Sequence, residues 1–110
     1  MAAATQEDAN LLVQLAQWGA MMDVQEAVGA VFADEFDPET ADANDDQVRR
    51  VLFWGETIGT LVKNDLLDRE LVLDWIWAQG LWERVGPAAL RARERFGSEA
   101  LYENFEALAR

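Results

Sequence analysis

The chain has 110 residues, enough for one domain that buries about 60 to 70 per cent of the surface exposed by its unfolded form. It contains no cysteine and no histidine, which excludes disulfides, thiolate metal sites, thiol nucleophiles and the commonest general base. Residues 1–48 hold 11 acidic and no basic groups within a net charge of −12, and the missing basic footprint argues against nucleic-acid binding.

The N-terminal segment, residues 1–36, is predicted to be helical. Thr5 with Asp8 three residues later resembles a capping box. Asp23 with Glu26 offers a second cap, so this segment is either one bent helix or two. An apolar stripe at helical spacing follows the first cap and consists of Leu11, Leu15, Trp18 and Met22.

An acidic connection over residues 37–46 separates this segment from the rest of the chain. A block of one charge sign is typical of a solvated segment, and we expect the chain to be mobile from Asp34 to Asp46. Part of the block resembles the start of a calcium loop. Gln47 and Phe53 stand where such a loop needs glycine and glutamate, so no metal site is predicted.

The helical core is expected over residues 47–110, beginning with a helix over about 47–63. Gly55 and Gly59 lie on or beside the apolar face of this helix. Glycine in a helix costs about 1 kcal/mol relative to alanine. We therefore expect a neighbouring helix to approach closely at this face.

The next helix is predicted over about residues 69–84 and contains three tryptophans. On a helical wheel Trp75 and Trp82 share a face that we assign to the core. This helix is apolar nearly all round, so it needs cover on nearly all sides. A second face is therefore either another core layer or a subunit interface, and it consists of Leu73, Trp77 and Leu81.

Two glycines and one proline divide the C-terminal region. Gly86 is predicted to end a helix and Pro87 to begin another. Gly97 is predicted to end that helix, with Ser98 as the cap of the last one. These elements predict an all-α fold, a compact bundle of five or six short helices in a single domain.

Glu56 is the residue that could serve as a buried acid with a raised pKa. No histidine or cysteine accompanies it, and most such carboxylates are solvated or paired with arginine. We expect Glu56 to form a buried ion pair with an arginine of the "RARERF" stretch. Arg93 is the predicted partner, and Arg91 and Arg95 are the alternatives. An enzyme using only Glu, Asp, Arg and Tyr102 is the least favoured function, and no catalytic residue is predicted.

Several motifs of residues 48–109 resemble a known family. They are "LFWGE", "LVKNDLLDRELV", Trp82 with Glu83, "RARERFG" and "LYENFEALA". Together they resemble a family of small bacterial helical proteins catalogued as a domain of unknown function. The resemblance implies a helical fold and brings no activity, cofactor or partner, and residues 1–47 add little to it.

Two functions are compatible with this pattern. The first is a non-enzymatic interaction or structural module that forms a homodimer through the second tryptophan face. The alternative is an acidic decoy or regulator whose N-terminal carboxylates bind a basic protein partner. The longest uncharged N-terminal stretch, residues 9–22, is shorter than the roughly 20 residues of a membrane span, so we expect a soluble, cytoplasmic protein that binds no cofactor.

Overall fold

A computed structural model describes residues 3–110 and shows six helices and no strand within that range. The predicted all-α bundle is therefore confirmed. None of these helices combines the length and apolarity needed to cross a bilayer. The helices are α1 (Gln6–Met21), α2 (Val24–Phe32), α3 (Asp46–Lys63), α4 (Arg69–Trp75), α5 (Ala78–Phe96) and α6 (Glu103–Ala109).

The N-terminal segment is two helices and not one bent helix. α1 begins with the predicted capping box, because the Asp8 backbone N–H donates to the Thr5 hydroxyl and the Thr5 backbone N–H donates to the Asp8 carboxylate. Asp23 adopts the left-handed conformation, with φ 56°, which ends the helical hydrogen-bond ladder. Asp23 occupies the predicted N-cap position of α2, but its side chain makes no capping hydrogen bond. The left-handed residue turns the chain between α1 and α2.

α3 is the central helix and packs against α2, α5 and α6. A Cβ added at Gly55 would lie 2.5 Å from the ring of Phe105, and one at Gly59 would overlap the backbone carbonyl of Asn104. Both glycines therefore allow α6 to lie directly on α3. The close approach predicted from these two glycines is confirmed.

The acidic connection follows a defined path because arginines of α5 bind it. Arg95 donates two hydrogen bonds to the carboxylate of Asp42, at 3.2 and 3.3 Å. Within the segment predicted to be mobile, Arg84 also donates to the carbonyl oxygen of Phe36, and Arg91 donates to those of Pro38 and Ala41. Arg84 further donates to the carbonyl oxygens of Val31 and Ala33, at the end of α2.

The helix predicted over residues 69–84 is wrong, because α4 ends at Trp75 and α5 begins at Ala78. Ile76, between them, is extended, with φ −124° and ψ 145°. A single helix that is apolar all round could not be covered in a domain of this size. The break sends Ile76 and Leu81 into two different core clusters.

The predicted boundary at Gly86 and Pro87 is also wrong, since both residues lie inside α5. The missing N–H of Pro87 removes one helical hydrogen bond, while the surrounding residues of α5 are largely buried. The stop at Gly97 is confirmed by its φ of 66°. The last helix begins later than the expected cap at Ser98, after Tyr102 in the left-handed conformation.

Candidate interaction surface

Trp77 lies at the junction of α4 and α5 and is 66% exposed. Its indole is held in place nevertheless. On one side a Cβ at Gly80 would overlap the indole, so the ring lies directly on α5. It also stacks on the Phe32 ring, with centroids 5.8 Å apart and planes within 1° of parallel. The result is a fixed pair of aromatic rings at the surface.

Two further tryptophans form the inner wall next to this pair. Trp54 is only 5% exposed, and its indole N–H donates to the carbonyl oxygen of Leu15 at 3.4 Å. Trp75 contacts it edge to face, with ring centroids 5.3 Å apart. Trp54 also lies against Gly19, where a Cβ would be 3.0 Å from the indole nitrogen. The wall is therefore anchored in the core.

An apolar groove runs between α2 and the α4–α5 junction, with Trp54 and Trp75 along its length. It consists of two adjoining cavities of about 410 and 330 Å³. Val24, Gln25, Trp54 and Trp75 line both cavities, which makes the groove continuous. The larger cavity is otherwise lined by Val28, Gly29, Phe32, Ile76, Trp77 and Leu81.

The charges beside the groove are mostly negative. Asp23 and Glu26 line the smaller cavity, and Asp74 is exposed next to Trp75 on α4. Arg50 offsets them in part. It donates to the Asp23 carbonyl at 3.1 Å and lies 3.8 Å from the Glu26 carboxylate, while it also pairs with Asp46.

The structure separates the three residues of the predicted second tryptophan face. Leu73 is 37% exposed, and Trp77 is more exposed still. Leu81 is only 4% exposed and belongs to the core cluster around α3 and α5. The break at Ile76 separates Leu73, on α4, from Trp77 and Leu81, which both line the larger cavity. Leu81 is too deeply buried to contribute much to an exposed surface.

The expected ion pair between Glu56 and Arg93 is not formed. The Glu56 carboxylate accepts hydrogen bonds from the backbone N–H groups of Asn104 and Phe105, at 3.0 and 2.9 Å, and from the Asn104 amide. Arg93 instead pairs with Glu106 at 3.1 Å. The first turn of α6 needs acceptors for its free N–H groups, and the close approach of α6 to α3 puts Glu56 beside them.

Three of the titratable groups with a structural cause for a pKa shift lie away from the groove. Hydrogen bonds from Thr5 lower the pKa of Asp8, and the Arg95 guanidinium lowers that of Asp42. Burial raises the pKa of Tyr102. Within residues 3–110 no three carboxylates are grouped so that they could hold a metal ion. The chemistry of the groove is therefore aromatic and apolar, with acidic groups beside it.

The predictions from the sequence do not include Phe32 and Gly29, which lie on the α2 side of the groove. A signal was present, because α2 places Gln25, Val28, Gly29 and Phe32 at i, i+3, i+4 and i+7, the spacing of one helical face. What the sequence could not show is that Trp77 reaches back to Phe32.

Comparison with known proteins gives a family and no activity. No curated protein and no solved structure matches the chain. The match to the family covers residues 3–110, so it includes the N-terminal segment that we expected to add little. The chain belongs to the family described as a domain of unknown function (DUF4760).

Proposed function

We propose that this protein is a non-enzymatic interaction module that self-associates through an aromatic patch formed by Trp77 and Phe32, with the exposed Leu73 of α4 as a further contact. The observation that carries the proposal is the stacked Trp77–Phe32 pair, which is fixed in place yet exposed to solvent. Tryptophan dominates binding energy at many protein interfaces. A ring that is already immobilised loses little conformational freedom when a partner covers it.

A second copy of the chain is the proposed partner, because two-fold dimers are the commonest soluble oligomers. Repulsion between two chains of charge −12 opposes this contact, so the apolar patch has to outweigh it. A cytoplasmic location belongs to the same proposal and is tested by fractionation of host cells.

Light scattering at micromolar concentration tests self-association. We expect a dimer for the wild type, and Trp77→Ala should weaken it by about 2 kcal/mol, roughly thirtyfold in Kd. Phe96→Ala is the matched control, because Phe96 is also an exposed aromatic residue but lies at the end of α5. A wild-type monomer, or equal effects of the two variants, would contradict the proposal.

An acidic regulator that binds a basic partner is the second candidate function. The observation in its favour is that Arg84 donates to the carbonyl oxygens of Ala33 and Phe36, and Arg91 to those of Pro38 and Ala41. The side chains of Asp34, Glu35 and Glu39, which lie between these anchored residues in sequence, stay exposed. Neutralising these three to Asn, Gln and Gln should abolish binding of a polylysine probe if they form the binding surface.

A further inference from the structure

For six of the seven glycines, the fold itself explains why a residue without a side chain stands at that position. Gly97 has a positive φ. The others lie where a Cβ would meet a ring or a backbone atom of a neighbouring residue: Gly19, Gly55, Gly59, Gly80 and Gly86.

Gly29 is the exception. It lies inside α2, where glycine is costly relative to alanine. Within the described chain nothing beyond α2 itself comes within 4 Å of the position of its Cβ. Gly29 also lines the larger cavity of the groove. A glycine that no internal neighbour requires is explained when an occupant of the groove approaches α2 closely at this point.

The residues that line the groove are arranged as in a helix–helix contact. Its α2 side presents Gln25, Val28, Gly29 and Phe32 as one helical face, and its other side is formed by the α4–α5 junction. A small residue in the middle of such a face lets a second helix backbone approach closely, with aromatic side chains on either side. Apolar residues of an incoming helix at i, i+3, i+4 and i+7 would fill the groove.

The charges determine which kind of helix fits. α1 and α2 contain no basic residue, and Asp23 and Glu26 lie beside the groove. A second copy would bring the same acidic helices to this place. A helix with lysine or arginine beside its apolar face would instead complement them, and such complementarity also speeds association.

We propose that this groove binds a basic amphipathic helix of another protein, with its apolar face on Phe32 and Trp75 and its backbone crossing α2 at Gly29. This rests on the second candidate function, for which it names the partner's chemistry and the binding surface. Trp77 forms one edge of the groove, so an incoming helix competes with self-association for the same indole.

The probe is a fluorescein-labelled helix-forming peptide of about 18 residues, with leucine on one face and lysine on the other, and binding is followed by fluorescence anisotropy. We expect Gly29→Leu to fill the groove and weaken binding at least tenfold. Gln17→Leu is the control, because it adds the same side chain at an exposed position of α1 outside the groove. The same peptide with glutamate in place of lysine should not bind.

Thermal unfolding shows whether Gly29→Leu stays folded, which we expect because the added side chain points into open space. If Gly29→Leu is destabilised, two other measurements test the proposal. They are peptide binding by Gly29→Ala and the change in indole emission when peptide is added to the wild type. Equal binding by the wild type and Gly29→Leu, or no change in indole emission, overturns the proposal.

The triple variant at Asp34, Glu35 and Glu39 separates this proposal from the function on which it rests. Peptide binding that is lost in the triple variant but kept in Gly29→Leu leaves an acidic regulator and overturns the groove. Binding by neither the wild type nor the triple variant overturns both. Neither result affects self-association, which light scattering measures without peptide.

Discussion

Pairing of tryptophan with glycine explains how a small domain accommodates so many indoles. Gly19 lies against Trp54, Gly80 against Trp77 and Gly86 against Trp82. In each pair the missing side chain leaves a flat area of helix backbone on which the indole lies. Such contacts remove apolar surface from water without needing a thick core. They also fix the orientation of Trp77, the one indole of the three that stays mostly exposed.

The different surroundings of two glycines give opposite predictions for the same substitution. Gly29→Ala should raise the free energy of unfolding by about 1 kcal/mol, because alanine favours the helix and the added methyl meets open space. Gly59→Ala should lower it by about 1–3 kcal/mol, because the methyl collides with the backbone of Asn104. Urea denaturation followed by circular dichroism measures both. A stabilising Gly59→Ala would contradict the close packing of α6 on α3.

At the level of secondary-structure elements, the sequence predicts capping and stop signals better than it predicts the course of the chain between helices. The cap at Thr5 and the stop at Gly97 were predictable because each depends on neighbouring residues. The break at Ile76 was not, because it follows from a tertiary requirement, the burial of a segment that is apolar on every side. The aromatic patch was found only in part for the same reason, since Phe32 lies far from Trp77 in sequence.

α6 depends on a hydrogen-bond acceptor from another helix. Its seven residues are too few for an isolated helix to be stable, and the Glu56 carboxylate of α3 accepts hydrogen bonds from its first turn. We expect Glu56→Ala to cost about 1.5–3 kcal/mol of unfolding free energy, the range for a hydrogen bond to a charged group. Glu56→Gln keeps an acceptor oxygen and should cost less.

Amide hydrogen exchange locates the effect of Glu56→Ala, with the largest loss of protection expected in α6. Glu83→Ala serves as the control, because Glu83 is exposed on α5 and its loss should change stability by no more than about 0.5 kcal/mol. Unchanged protection of α6 in Glu56→Ala would show that Phe105 packing alone holds the helix.

The contribution of the ion pair between Arg95 of α5 and Asp42 of the acidic connection to stability should depend on pH. The hydrogen bonds from Arg95 lower the pKa of Asp42 in the folded state, so the pair stabilises the fold above the ordinary aspartate range. That stability is lost as the pH falls through the lowered pKa. We expect Asp42→Asn to lower the melting temperature at pH 7 and to have no effect near about pH 2. Asp34→Asn, in the same segment, should show no such contrast, and a pH-independent effect of Asp42→Asn would contradict the ion pair.

For the whole molecule, charge is distributed unevenly between residues 1–48 and the rest of the chain. Residues 1–48 supply the acidic α1, α2 and connection, whereas all nine basic residues lie beyond them. Several of those basic side chains are already bound to the acidic part, as with Arg50, Arg84 and Arg95. The molecule therefore presents a negative exterior around an aromatic surface. This negative charge should oppose self-association and favour binding of a basic helix.

Salt distinguishes these contacts in a single preparation. Self-association brings together two chains of charge −12, so screening should strengthen the dimer or leave it unchanged. Binding of the lysine peptide relies on attraction, so it should weaken as sodium chloride rises from about 0.05 to 0.5 M, where the Debye length falls to a few ångströms. Light scattering reports the first and anisotropy the second. If salt weakens both, charge pairs rather than the apolar patch hold the dimer together; if it weakens neither, the negative exterior does not select the partner.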